Sequence, residues 1–157
     1  LYTDVRTAET TDDVKTVWAR VESISGANGY STASWAWELR GLADKLIGGV
    51  GLRRGRRDPN HLVVGDAVDF WRVEELIPEK VLRLRAEMKM PGLAWLEFRL
   101  EKTATGTKVI QTATYVPKGL LGHLYWWSVF PMHGIVFPSM VKSAAGLGRR
   151  KKQAKTT

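Results

Sequence analysis

Val81–Met90 reads VLRLRAEMKM, and its alternation decides the fold. Leu82, Leu84, Ala86, Met88 and Met90 fall on one face of an extended chain, with Arg83, Arg85, Glu87 and Lys89 on the other. Successive side chains of a strand point to opposite faces, so this pattern predicts one buried face and one wet face. The pattern repeats downstream. After a Pro91-Gly92 turn, Leu93–Lys102 sets Ala94, Leu96, Phe98 and Leu100 against Trp95, Glu97, Arg99 and Glu101, and a Thr105-Gly106 turn leads into Thr107–Val116. Short turns between alternating strands predict an antiparallel meander.

Upstream, Leu1–Ala8 alternates loosely and reads as a first strand. A helix follows, capped by Thr10 or Thr11, with Val14, Val17, Trp18 and Val21 at i, i+3, i+4 and i+7. Ser34 caps a second short helix whose Trp35, Leu39, Leu42, Ala43 and Leu46 form an apolar stripe ending at Gly48-Gly49. Residues 49–65, with a short apolar pair at Val63-Val64, read as a loop with one short strand inside. Val68–Leu76 reads as one strand, closed by the Pro78-Glu79-Lys80 turn.

Gly119–Val141 carries no Lys, Arg, Asp or Glu, lacks alternation and is predicted to be helical, with Pro131 and Pro138 kinking it or splitting it in two. A run of this length could cross a bilayer, with Trp126 and Trp127 at the interface and Lys142 and Arg149–Lys152 as an inner flank. Two Pro, two His, three Gly and two Ser in the window argue against a span. The meander needs its apolar face covered, and this is the element long enough to do it. The window is therefore predicted to lie on the sheet, with His133, Phe137, Met140, Val141 and Ala144 on one helical face.

The chain has 157 residues, 44% hydrophobic and 25% charged, which fits one soluble globular unit and excludes disordered and collagen-like classes. There is no Cys, so thiol catalysis, disulfide scaffolds and thiolate metal sites are excluded, and a cytoplasmic location is expected. The net charge of +8 is concentrated in Arg53, Arg54, Arg56 and Arg57 and in the tail residues Arg149, Arg150, Lys151, Lys152 and Lys155. The rest is nearly neutral, which argues against a broad nucleic-acid-binding surface. The opening Leu1-Tyr2-Thr3-Asp4, without an initiator Met or a leader, is expected of a piece of a longer protein. Residues 1–147 are expected to form the folded domain and residues 148–157 a disordered basic tail.

Few chemical signatures are present. Gly49-Val50-Gly51-Leu52-Arg53-Arg54-Gly55 imitates a dinucleotide-binding loop, but it is one residue too long, follows a helix and leads into no helix. Phosphate-loop, zinc-protease and serine-esterase motifs are absent. Of the histidines His61, His123 and His133, the last two would sit about 80° apart around one helix and far apart along it, so no metal site is expected. Asp69 shares a predicted strand face with Trp71, and Glu97 shares one with Trp95; a carboxylate beside an aromatic could be the polar handle of an apolar pocket. Cross-strand pairing with arginines accounts for most other acids. The aromatic surplus around Tyr115, Tyr125, Trp126 and Trp127 suits a lined cavity.

Three segments carry a family resemblance: Val64–Val73 (VGDAVDFWRV), Met88–Phe98 (MKMPGLAWLEF) and Pro117–Trp127 (PKGLLGHLYWW). With the element order, they resemble the START-like, birch-pollen-allergen-like superfamily (SRPBCC). They look most like an uncharacterised family within it whose members commonly follow an NAD(P)-binding, short-chain-dehydrogenase-like domain. The resemblance spans the chain to about Ala145. It implies an α+β helix-grip fold: a curved antiparallel sheet wrapped around a long C-terminal helix, two short helices after the first strand, and a hydrophobic cavity between sheet and helix. The superfamily usually has seven strands where five or six are legible here. No catalytic residue can be carried over.

The leading expectation is a module that binds a hydrophobic small molecule in this cavity, with no cofactor of its own, next to an NAD(P)-binding domain preceding Leu1. Its expected lining is Asp69, Trp71, Met88, Trp95, Glu97, Phe98, Tyr115, His123, Trp127 and His133. A second expectation is a cyclase- or isomerase-like enzyme using Asp69, Glu97, His123 or His133 as proton carrier. A third is an anionic-surface or nucleic-acid contact through the Arg cluster and the basic tail.

Overall fold

The structure is a computed structural model that describes residues 1–23, 39, 42–43, 45–49, 58, 61–68, 71–87 and 89–147. The elements run β1 (Tyr2–Thr10), α1 (Val14–Glu22), β2 (Ala67–Val68), β3 (Trp71–Ile77), β4 (Val81–Ala86), β5 (Gly92–Lys102), β6 (Thr107–Pro117) and α2 (Gly119–Ala144). All six strands join one antiparallel open sheet in the order β1-β6-β5-β4-β3-β2. With α2 laid on it, this is the α+β helix-grip fold.

Alternation does what the sequence predicts in the meander. Leu96, Phe98 and Leu100 of β5, Val109 and Ala113 of β6, and Leu82 and Leu84 of β4 are buried. They pack against Val17, Trp18 and Val21 of α1 and Val136, Phe137, Met140, Val141 and Ala144 of α2. The opposite face is polar. There Arg83 stands in register with Glu97 and its Nε lies 3.4 Å from that carboxylate, which also meets Arg99 at 3.3 Å.

Four local readings are corrected. The single strand expected over Val68–Leu76 is two: Ala67 and Val68 pair back onto Arg72 and Trp71 as a tight hairpin. Arg72 holds that hairpin, donating to Glu87 at 2.7 and 3.2 Å and to the Gly65 carbonyl at 2.9 Å. A bulge in β3 between Val73 and Glu75 inserts Glu74 and restores Leu76 to the apolar side, opposite Leu82. Strand β4 stops at Ala86, so Met90 lies beyond it. No strand forms at 61–65, the described end of the segment expected to hold one, and Val63 and Val64 are exposed.

The cap of α1 is Asp13, whose Oδ1 accepts from the Thr16 amide at 2.9 Å; Thr10 and Thr11 lie too early in the chain. The Thr16 hydroxyl first, and the Thr16 amide second, hold the Asp13 carboxyl below its ordinary pKa. Leu39, Leu42, Ala43, Lys45 and Leu46 are helical as expected, but Leu39, Leu42 and Leu46 of the stripe are exposed. Trp35, the Gly49–Gly55 loop beyond Gly49, the Arg53–Arg57 cluster and the basic tail lie outside the described residues.

Helix α2 runs through both prolines as one element, so of the expected kink or split the split does not form. Each proline removes the amide that would bond the carbonyl four residues back, here Trp127 and Gly134. Both of those residues are on the exposed face, where water can take the lost bond. No helix among the described residues is long and apolar enough to cross a membrane.

Candidate functional site

The site lies where the first turns of α2 cross β6 and β5. Gly122 sets the distance between them: a Cβ there would sit 2.5 Å from the Pro91 carbonyl oxygen and 2.8 Å from Pro117 Cα. The Lys118 amide donates to the Pro91 carbonyl at 2.9 Å, and the Tyr115 hydroxyl donates to that same oxygen at 2.8 Å. One backbone carbonyl thus ties the β4–β5 turn, strand β6 and the start of α2 together. Burial, reinforced by Tyr125, raises the Tyr115 phenol above its ordinary pKa and keeps it a donor.

Aromatic rings hold the rest. Tyr2 and Tyr115 are paired in register on β1 and β6, and the Trp126 indole lies nearly parallel to both, with centroids 4.9 and 5.8 Å away. On the other side of Trp126, His133 meets it edge-on at 5.0 Å and lies 4.5 Å from Phe137.

Beneath this cluster is a cleft between sheet and helix, lined by Trp71, Met90, Ala94 and Trp95 from the β2–β5 side, by Ala113, Thr114 and Tyr115 of β6, and by residues of α2 from Tyr125 to Phe137. Its volume is about 460 Å³ counting the open mouth, of which about 50 Å³ takes water-sized groups. The walls are almost wholly apolar. His133 supplies a basic group on the helix side: its Nδ1 is shut off from solvent with no hydrogen-bond partner. Burial pushes the imidazole down to about 4, against an opposing pull from the Asp4 carboxylate, so the ring is neutral at pH 7.

Four of the ten sequence candidates, Trp71, Trp95, Tyr115 and His133, line this cleft. Phe98 is fully buried in the core below it. Glu97 is on the polar face of the sheet, held by Arg83 and Arg99, because it alternates out of phase with Leu96 and Phe98. His123 is exposed and bonded to Tyr2, and Trp127 is 60% exposed. Asp69 and Met88 lie outside the described residues. The sequence candidates omitted Met90, Ala94, Ala113, Thr114, Val129 and Phe137, and the aromatic surplus had already flagged Tyr125 and Trp126. No group of three His, Asp or Glu able to hold a metal occurs among the described residues.

A family model described as "Protein of unknown function (DUF2867)" matches residues 1–140. No curated protein matches the chain. Among solved structures, protein CV1439 from Chromobacterium violaceum is similar with a TM-score of 0.54 at 13% identity, over 93% of this chain and 96% of its own. Protein MLL2253 from Mesorhizobium loti is similar with a TM-score of 0.54 at 13% identity, over 96% and 98%. DynU16, a protein in the dynemicin biosynthetic locus, is similar with a TM-score of 0.55 at 15% identity; 92% of this chain matches 46% of that one. At these identities the likeness is one of fold.

Proposed function

The chain belongs to the DUF2867 family, and for it we propose that the cleft under α2 binds a hydrophobic, ring-bearing small molecule. The observation that carries this reading is the lining: aromatic and aliphatic walls with an unpartnered imidazole nitrogen among them. A concave apolar site with few polar groups is how proteins hold small organic ligands. The fold shared with DynU16, which belongs to a biosynthetic locus, agrees with a small organic ligand.

The test uses the neutral naphthalene ketone 6-propionyl-2-dimethylaminonaphthalene, whose emission shifts to the blue in apolar surroundings. Saturable binding with a blue shift is expected, and it is abolished in Ala113→Leu, which fills the cleft from its sheet wall. Unsaturable binding, or full binding by a folded Ala113→Leu protein, would overturn the reading.

A second reading, cyclase- or isomerase-like proton transfer, is favoured by one observation. Among the described members of the four proton-carrier candidates, His133 lines the cleft, and its Nδ1 has no hydrogen-bond partner there.

A further inference from the structure

Gln111 is 1% exposed on the inner face of β6, and neither its amide nitrogen nor its amide oxygen has a hydrogen-bond partner. Buried amides are nearly always satisfied, and leaving both ends unpaired costs free energy that a leucine of similar size would not. Gln111 is the inward-facing residue next to Ala113, a cleft-wall residue, so one pleat of β6, about 7 Å, separates the two. On β1 its register partner is Arg6, while Asp4 stands opposite Ala113. Arg6 and Asp4 neutralise each other through bonds of 2.7 and 3.1 Å. Across from them is His133, with its own unpaired Nδ1 and close enough to Asp4 to feel its charge. Two unpaired buried polar atoms of Gln111 thus stand one pleat beyond the wall residue Ala113, and a third, His133 Nδ1, belongs to a residue that lines the cleft with Ala113.

We propose that the Gln111 amide and His133 form the recognition point for the polar end of the ligand, and that this end is a neutral group carrying a donor beside an acceptor. An amide, lactam or protonated carboxyl fits: Gln111 Nε2 donates to its carbonyl oxygen and Gln111 Oε1 accepts from its N–H or O–H, while His133 Nδ1 accepts the second N–H of a primary amide or, in the Nδ1–H tautomer, donates to the carbonyl's second lone pair. An anion does not fit, because Arg6 is already matched by Asp4 and the walls are apolar. Ala113, a small side chain, leaves the approach open. This assignment rests on the reading of the cleft as a ligand site and specifies its chemistry.

The experiment titrates the 157-residue protein with 2-naphthamide, 2-ethylnaphthalene and 2-naphthoate, followed by quenching of tryptophan emission. The amide is expected to bind at least about tenfold more tightly than the hydrocarbon, the scale of one to two good hydrogen bonds in a dry site, and naphthoate more weakly than the amide. Gln111→Leu should erase the difference between amide and hydrocarbon, and should melt about 2–4 °C higher than the wild type. Equal binding of amide and hydrocarbon by the wild type overturns the assignment but leaves the cleft a ligand site. A preference that persists in Gln111→Leu, or a lower melting temperature in that variant, also overturns it. Binding of none of the probes overturns the reading of the cleft and the assignment with it.

Discussion

The Tyr2 hydroxyl and His123 Nδ1 lie 2.8 Å apart, joining the edge strand at the start of the chain to the last helix across 121 positions. The same tyrosine ring stacks on Trp126 and meets Trp127 edge-on at 6.1 Å. The contact fastens β1 to α2 with one hydrogen bond and two aromatic contacts. These contributions can be separated. Tyr2→Phe, which keeps the rings and loses an exposed bond, is expected to cost less than about 1 kcal/mol. Tyr2→Ala is expected to cost about 2–3 kcal/mol. Urea denaturation followed by far-UV circular dichroism measures both, and equal costs would show that the stacking contributes nothing.

Gly122 permits the close crossing of α2 over the Pro91 and Pro117 turns. Gly122→Ala is expected to destabilise the fold by about 1–3 kcal/mol despite alanine's higher helix propensity, because the contacts it would make are with backbone. Gly134→Ala is the control: nothing lies within 4 Å of a Cβ there, and the same substitution should stabilise. If both variants melt alike, the crossing is not tight.

His133 gives the stability a pH dependence of defined sign. Its folded pKa, about 4, is below the ordinary value of 6.5. Above pH 6.5 both folded and unfolded chains hold it neutral, and nothing changes. Between pH 6.5 and 4 the unfolded chain takes the proton first, so stability falls with pH, by at most about 3 kcal/mol from this group. His133→Phe should flatten that part of the profile, measured as the urea midpoint at each pH. An unchanged slope would place the titration elsewhere.

Glu97 is expected to be inert in ligand binding. Its carboxylate is occupied by Arg83 and Arg99 on the polar face, and both arginines are about half exposed. Glu97→Gln should cost no more than about 1 kcal/mol of stability and leave the affinity for the naphthalene ketone unchanged. A tenfold loss of affinity would put this carboxylate in the site after all.

The sheet was legible in the sequence because period-two alternation with two short turns admits one arrangement for Val81–Val116: a register slip of one residue would turn Leu96 and Phe98 out to water. The uncharged run after Pro117 likewise announced a helix that had to cover that face. Local rules failed where geometry over several residues decides. The bulge at Glu74 and the hairpin that splits Val68 from Trp71 leave no periodic signal. The continuity of α2 through Pro131 and Pro138 depends on which carbonyls face water.

The same division runs through the site. Sequence placed aromatics, His133 and alternating carboxylates in the right elements, and phase alone would have sent Glu97 outward had Trp95 not suggested a pocket. Only the tertiary structure decided that Ala94 and Ala113, small residues with no signal of their own, leave the hollow. It also decided that Gln111 stands unpaired on the inner face of β6, because a polar residue's burial and its lack of a partner depend on strands and a helix distant in the chain.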